Sequence, residues 1–447
     1  MYNNYFPVTY YFYPLLDLGF DVCAESQNFL QALDTPTPGN VETLLYVHIP
    51  YCQDLCRFCP FHVRVDKDFS VYERYTNALC TDLKQTAEST RGASSTIQAV
   101  YFGGGSPSVL SAEQLRRIFE TIYASFTLAP DVEISFEGEP KSLGDPARLE
   151  LLREMRVSRL SFGLQTYNQN LREAFNISAT LDDVENVTRR ARDIGFDEIN
   201  VDMMYNLPGQ TLADLDRDIE HLLADGYDSI DYYNLHYFAF PPKFKREMAT
   251  GKIPAKPSEP VMLALFEQLR AGLSAAGYVN VADQVYSRKP AVCEYFRLLW
   301  AGGYGEHRAE TLAVGSSARG YIDGVAYMKY GNVNRYMDGI EKGENTVEKI
   351  SRRLSRPENR GAVMFPKFLS IKKQHDAALQ TIPKSLLAQW TEHGYVYETA
   401  TEYRISERGK LWTNNMTTDL FEAVQREIGD RAVIALSEKA GTRTGTF

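Results

Sequence analysis

"IPYCQDLCRFCPFHV", residues 49–63, sets Cys52, Cys56 and Cys59 within eight positions and supplies no fourth cysteine. Directly before the triplet lies "LLYVHIP" (44–50), a run of β-branched and aromatic residues that reads as a strand. Spacing alone leaves three readings open: a structural zinc site with His62 as fourth ligand, thiols that merely share a reduced loop, and a four-iron cluster in which one iron lacks a protein thiolate. Zinc sites usually draw their ligands from two knuckles, and no second knuckle follows His62. Six cysteines in 447 residues make no disulfide framework; Cys23, Cys80 and Cys293 stand alone and read as small buried apolar residues.

Outward from that strand, five similar segments recur between amphipathic helices: "AVYFGGG" (99–105), "EISFEGE" (133–139), "RLSFGLQ" (159–165), "EINVDMMY" (198–205) and "SIDYYNLHYF" (229–238). Ser111 with Gln114, and Thr211 with Asp214, have the spacing of helix-starting capping boxes, and Leu115, Ile118, Phe119 and Ile122 then fall on one helical face. Strand alternating with helix implies parallel βαβ units, in an open doubly wound sheet or in a complete or partial barrel. Gly103 to Gly105, Glu137, Gln165 and Asp202 stand at strand ends, where parallel α/β folds place their sites. Glu137 reads as the terminal carboxylate of a strand whose other inward positions are apolar, which requires a partner for its charge.

Composition sets the outer limits. With 44% hydrophobic and 24% charged residues the chain reads as a soluble globular protein with one large domain and smaller additions. The net charge of -10 argues against a general nucleic-acid binder. No run of eighteen apolar residues occurs and the first residues lack the basic region of a secretory signal, so a cytoplasmic protein without a membrane partner is the expectation. Residues 1–40 read as an aromatic arm ending in the linker "DTPTPGN" (34–40), residues 41–335 as the α/β domain, and residues 336–447 as a small α+β carboxy-terminal domain. Within the last, residues 382–424 read as a helix, a turn at Gly394, a hairpin and another helix in the style of a winged helix. Its charge favours packing over nucleic-acid contact.

C-x-x-x-C-x-x-C directly after the first strand resembles the signature of the radical S-adenosylmethionine enzymes. "YVHIPYC" (46–52), "YFGGGSPSVL" (101–110), "EISFEGEP" (133–140), "LSFGLQTYN" (160–168) and "NVDMMYNLPGQT" (200–211) occur in the order of the HemN-like, oxygen-independent coproporphyrinogen III oxidase-like branch. "LAVGSSARGYI" (312–322) and "ISERGKLWTNN" (405–415) are similar to its later segments, so the resemblance spans residues 44 to 425. It implies a partial (β/α)6 barrel and a [4Fe-4S] cluster on Cys52, Cys56 and Cys59, with S-adenosyl-L-methionine on the fourth iron and a 5'-deoxyadenosyl radical as the reactive species. Carried over block by block, it places Tyr46 against the first S-adenosylmethionine and Phe58 against a second, Gly104, Gly105 and Ser106 in the glycine-rich turn, and Glu137 on a ribose or ammonium. Gln165 and Asp202 match positions that hold the second molecule, and His236 and Arg319 match further cofactor contacts.

The chain departs from the branch in places that bear on the reaction. Phe61 stands where the coproporphyrinogen oxidases have a fourth cysteine, and Ile177 stands where they have an arginine. The H-N-x-x-Y-W block of the heme-trafficking members does not occur; "GGYGEHRAE" (302–310) lies in that region. The cluster loop is most similar to those of class C radical SAM methyltransferases and cyclopropanases. The expectation that follows is transfer of a methyl or methylene unit to an sp2 carbon of a small-molecule natural-product intermediate, with two S-adenosylmethionine molecules. Heme-ring methylation with opening and coproporphyrinogen III dehydrogenation are the alternatives. An electron donor such as flavodoxin or ferredoxin is implied, and the arm (1–30) and the carboxy-terminal domain are expected to act as lids.

Overall fold

The computed structural model describes residues 1–2, 22–59, 61, 63–235, 237, 240, 242–301, 308–351, 353, 358–374 and 376–428. Each of the six segments forms a strand: β1 Val41–Ile49, β2 Thr96–Gly104, β3 Thr127–Gly138, β4 Arg159–Gln165, β5 Glu198–Tyr205 and β6 Ser229–Asn234. They pair in chain order, all parallel, with helices in the crossovers. β7 Val279–Ala282 and β8 Val285–Ser287 extend the β6 side antiparallel. On the β1 side β9 Arg308–Val314 adds in parallel, followed antiparallel by β10 Arg319–Ile322, β11 Val325–Lys329 and β12 Val347–Ile350. The sheet therefore curls through six βα units and stays open, with β7 and β12 as its edges. Both anticipated capping boxes are present, and a third, Thr180 with Asp183, starts the helix Leu181–Ile194.

Side-chain alternation divides the strands into two faces. Leu45, Val47 and Ile49 of β1, Val100 and Phe102 of β2, Ile134 and Phe136 of β3, and Leu160, Phe162 and Leu164 of β4 pack outward into the core shared with the helices. The opposite face is polar. Along β3 it carries Glu133, Ser135 and Glu137, with the Ser135 hydroxyl 3.2 Å from Glu133 Oε1, so the expectation that Glu137 follows apolar inward positions is corrected: Ile134 and Phe136 point the other way. Parallel sheets covered on both sides are usually apolar throughout. A polar inner face marks a lumen that is used.

The lower end of that lumen is stoppered. The helix Glu294–Ala301 sets Leu298 among Leu44, Ala99 and Ala309, and stacks Tyr295 on Tyr101 with ring centroids 3.6 Å apart. Arg297 reaches Glu42 at 2.7 Å, and the Glu294 N–H donates to the Glu133 carboxylate at 3.1 Å.

The sheet runs past residue 335, since the helix Val333–Glu341 spans that position and β12 pairs with β11. Beyond it, β13 Ser370–Lys372, β14 Val396–Glu398 and β15 Glu402–Ile405 form a separate sheet in the order β13-β15-β14, packed between the helices Glu358–Phe368, Lys384–Glu392 and Thr413–Ile428. Gly394 takes φ 69° in the turn that ends Lys384–Glu392, a conformation glycine adopts at little cost. A buried ion pair joins the two parts: Lys367, fully buried, donates to Asp283 and Asn414, and Thr413 donates to Asp283 at 2.8 Å.

Of the arm, the helix Val22–Leu33 packs against β11 and β12, with the Phe29 ring 4.8 Å from that of Tyr327. It also touches the helix Thr90–Ser94, which precedes β2, and so lies toward the end of the sheet opposite the site; a lid role is not available to this helix. Tyr2 stacks on Tyr395 at 5.4 Å in the carboxy-terminal part. Residues 3–21 lie outside the described residues. Among the described residues no helix is long and apolar enough to cross a membrane.

Candidate active site

The cysteine loop leaves β1 at the upper end of the lumen. Its start is fixed by backbone pairing: Arg64 N–H donates to Pro50 O at 2.7 Å and Cys52 N–H to Arg64 O at 3.0 Å. Its middle is held from the β4 side, where Arg57 N–H donates to Phe175 O at 2.9 Å and Asn176 Nδ2 to Leu55 O at 2.9 Å. Cys52, Cys56 and Cys59 are partly buried and unbridged. Burial, together with the other thiols and Glu139, pushes the Cys52 and Cys56 thiols up to about 12, and burial raises Cys59 as well. The loop alone therefore holds neutral thiols, and thiolates there require a bound cation. Among the described residues no group of three or more His, Cys, Asp or Glu gathers closely enough for one metal ion, and His62, the fourth ligand of the zinc reading, lies outside the described residues. A polynuclear cluster takes one thiolate per iron, and three soft donors spaced along a clasped loop fit it.

The glycine-rich turn at the end of β2 closes on this loop. Gly105 N–H donates to Ile49 O at 2.8 Å and Ser106 N–H to Tyr51 O at 2.7 Å. A Cβ at Gly105 would lie 2.5 Å from Tyr51 O and 3.0 Å from Cys52 Sγ, so only glycine permits the approach. Gly105→Ala is expected to cost about 1–3 kcal/mol and to lower the iron retained after reconstitution. Gly39→Ala, with open space around its Cβ, should change neither; iron per chain and the urea midpoint measure both effects. Gly104 has φ +118°, and a Cβ there would lie 2.8 Å from the His48 ring. Ser106 is buried and faces inward, its Oγ accepting from Glu139 N–H at 2.9 Å, which ties this turn to the end of β3.

Below the loop, register aligns the lumen residues in layers. Tyr46, Tyr101, Ser135, Arg159 and Glu198 are successive partners across β1 to β5, and Gly163, Asp202 and Asp231 across β4 to β6. Tyr46 Oη lies 3.0 Å from His48 Nδ1. Glu137 accepts from the Tyr101 hydroxyl; burial pushes its carboxyl up to about 7, against the opposing pull of Tyr101, Arg159 and the Gly104 N–H. Arg159 meets Glu198 at 2.9 Å and Asp231 at 3.9 Å. Burial raises Asp202, with Glu137 adding to it, and raises Asp231, with Asp202 adding to it. Asn200 Nδ2 bridges these two carboxylates at 3.3 and 3.2 Å. Glu198 stays below the usual carboxylate range despite burial, because Arg159 and the Ser229 hydroxyl hold its charge.

The remaining candidates occupy the rim. Gln165 has φ 71°, a strained conformation for a residue with a side chain, and its amide folds against Gly163. Arg319 opens β10, near enough for its charge to oppose the burial-driven rise of the Tyr46 hydroxyl. Phe58 stands outside the lumen, its ring 5.8 Å from Phe175, on an apolar wall with Ile177, Tyr237, Phe240 and Phe244. His236 lies outside the described residues. Tyr101, Arg159 and Asp231 belong to the site but are not singled out in the sequence; Tyr101 stands two positions before Gly103 on β2 and Arg159 four before Gly163 on β4, and this period-two spacing within a strand is the signal that marks them.

Three comparisons bear on this arrangement. The Radical SAM superfamily family model matches residues 46–222. An anaerobilin synthase from Escherichia coli O157:H7 is 28% identical over 404 residues, covering 88% of this chain and 87% of that protein. A heme chaperone HemW from Bacillus subtilis is 28% identical over 383 residues, covering 83% and 97%. Among solved structures, coproporphyrinogen III oxidase (HemN) from Escherichia coli superposes with a TM-score of 0.74 at 22% identity, covering 91% of this chain and 94% of that one.

Proposed function

Because this chain is a radical S-adenosylmethionine protein of the HemN-like branch, we propose that it acts on a tetrapyrrole, methylating and opening the heme ring. The observation that carries this reading is the likeness to an anaerobilin synthase over nearly the whole of both chains. It favours the heme-directed alternative over transfer of a methyl or methylene unit to a natural-product intermediate. Phe61 and Ile177, in place of a cysteine and an arginine, weigh against coproporphyrinogen dehydrogenation. Ile177 belongs to the apolar wall beside the cysteine loop, a surface suited to a flat ring system rather than to a propionate.

In this reading Cys52, Cys56 and Cys59 hold a [4Fe-4S] cluster, and Tyr46, Gly104, Gly105 and Glu137 hold the S-adenosylmethionine bound to it. When bound, these groups supply a 5'-deoxyadenosyl radical. Phe58, Gln165 and Asp202 hold a second S-adenosylmethionine, and His236 and Arg319 are further cofactor contacts. The protein's own contribution is positioning: the lumen carboxylates attract cationic groups, and the wall from Phe58 to Phe244 excludes water from the substrate side. A one-electron donor of the flavodoxin or ferredoxin class completes the system.

The test is anaerobic incubation of the reconstituted, reduced protein with heme and methyl-deuterated S-adenosylmethionine. The expected result is loss of the Soret band with deuterated 5'-deoxyadenosine and S-adenosylhomocysteine. A persistent Soret band without turnover would indicate heme carriage. Turnover of coproporphyrinogen III without methyl consumption would indicate a dehydrogenase. Either result would overturn the reading.

A further inference from the structure

Glu137 is half-buried under the mouth of the lumen, and its carboxylate has two differently used oxygens. Oε1 accepts from the Tyr101 hydroxyl. Oε2 lies over Gly103, 2.8 Å from where a Cβ of that residue would stand, and the Gly104 N–H also bonds the carboxylate. Tyr101 has little freedom to leave: it is 4% exposed, its ring lies 3.6 Å from Tyr295 at an interplanar angle of 20°, and Tyr46 stacks at 6.2 Å on the same layer. Tyr295 belongs to the helix that stoppers the lumen, so the hydroxyl is aimed by two packed elements rather than by a loop.

We propose that Tyr101 is a positioning residue for the cofactor: held by Tyr295, it fixes Oε1 of Glu137 and presents Oε2, over the glycine turn, to an ammonium or hydroxyl group of S-adenosylmethionine. This rests on the reading that Glu137 holds that cofactor. Among the described residues the other charged or titratable groups acting on the carboxylate include Tyr46 on β1, Cys52 in the loop that follows it, Arg159 on β4, Asp202 on β5 and Asp231 on β6. Of these, Arg159 is engaged with Glu198 and Asp231, and the two aspartates oppose ionisation. The Tyr101 hydroxyl is thus the side-chain donor that, beside the Gly104 N–H, favours the ionised, binding form.

The sign follows from which form binds. Ionised Glu137 accepts a donor from the cofactor and the protonated acid does not, so affinity falls as pH drops through the carboxyl's range near 7. Removing a donor raises that range, and Tyr101→Phe does so while keeping the ring. By isothermal titration of the reconstituted protein with S-adenosylmethionine, Tyr101→Phe is expected to bind about fivefold more weakly at about pH 7 and nearly like wild type at about pH 9, the limb having moved by about one unit. Tyr295→Phe should leave the limb in place. Incorporation of 3,5-difluorotyrosine at 101, a stronger donor of nearly the same shape, should move it toward acid and keeps the test available if Tyr101→Phe folds poorly. In cofactor-free protein, the infrared carbonyl band assigned through Glu137→Gln should grow at neutral pH in Tyr101→Phe. An unmoved limb in both Tyr101 variants, or an equal shift in Tyr295→Phe, would overturn the proposal while leaving Glu137 as a ligand. Wild-type affinity in Glu137→Gln would overturn both.

Discussion

Cys56→Ala is expected to abolish cleavage of S-adenosylmethionine and to leave the reconstituted protein with iron near background, while the fold persists. Cys56 sits in the middle of the loop, between Leu55 and Arg57, which Asn176 and Phe175 hold, so no neighbouring thiol can move into its place. The isolated thiols, pushed well above neutrality by burial and by one another, offer no metal-ready pair on their own; loss of one donor from a set of three is therefore not compensated. The hydrophobic core makes no use of this side chain, since Cys56 lies outside the packed clusters of buried residues. Iron and sulfide analysis, 5'-deoxyadenosine yield and a urea transition measured together check the prediction. Turnover retained in Cys56→Ala would sink the cluster assignment.

The second large effect concerns stability. Lys367→Met should cost about 3–5 kcal/mol, because it strips the counter-charge from Asp283 in a place water does not reach. Asn414 would lose the Lys367 donor at the same time, leaving Thr413 as the hydrogen-bond donor from the last helix to Asp283, so the contact between the β7–β8 turn and that helix loosens. Lys367→Met combined with Asp283→Leu is expected to recover much of the loss, since no unpaired buried charge remains. Urea transitions compare the three proteins, and limited proteolysis should cut the single variant first near the junction after β12. A single variant as stable as wild type would show that the pair is open to water.

Much of the architecture was legible because each strand and crossover announces itself locally. The capping boxes at Ser111 and Thr211, and the runs ending at Gly105, Glu137, Gln165 and Asp202, are patterns over a few residues. What escaped depends on contacts distant in the chain. β9 enters the sheet beside β1 although the two are separated by the whole barrel, and β12 carries the sheet beyond the expected boundary at 335. The polar inner face was available in principle from the alternation in "EISFEGE" and "SIDYY", but assigning the faces requires knowing that helices cover one side only. Tyr101 reads as an ordinary strand aromatic; its role appears once Glu137 is seen across the register from β4 and Tyr295 is seen to arrive from residue 295.

The helix stoppering the lumen has a consequence for traffic. Among the described residues the base offers no exit, so whatever seats deepest enters from the cysteine-loop end, arriving first and departing last. Turnover would then follow a compulsory sequence, with dead-end inhibition at high concentrations of the outermost guest as its kinetic signature.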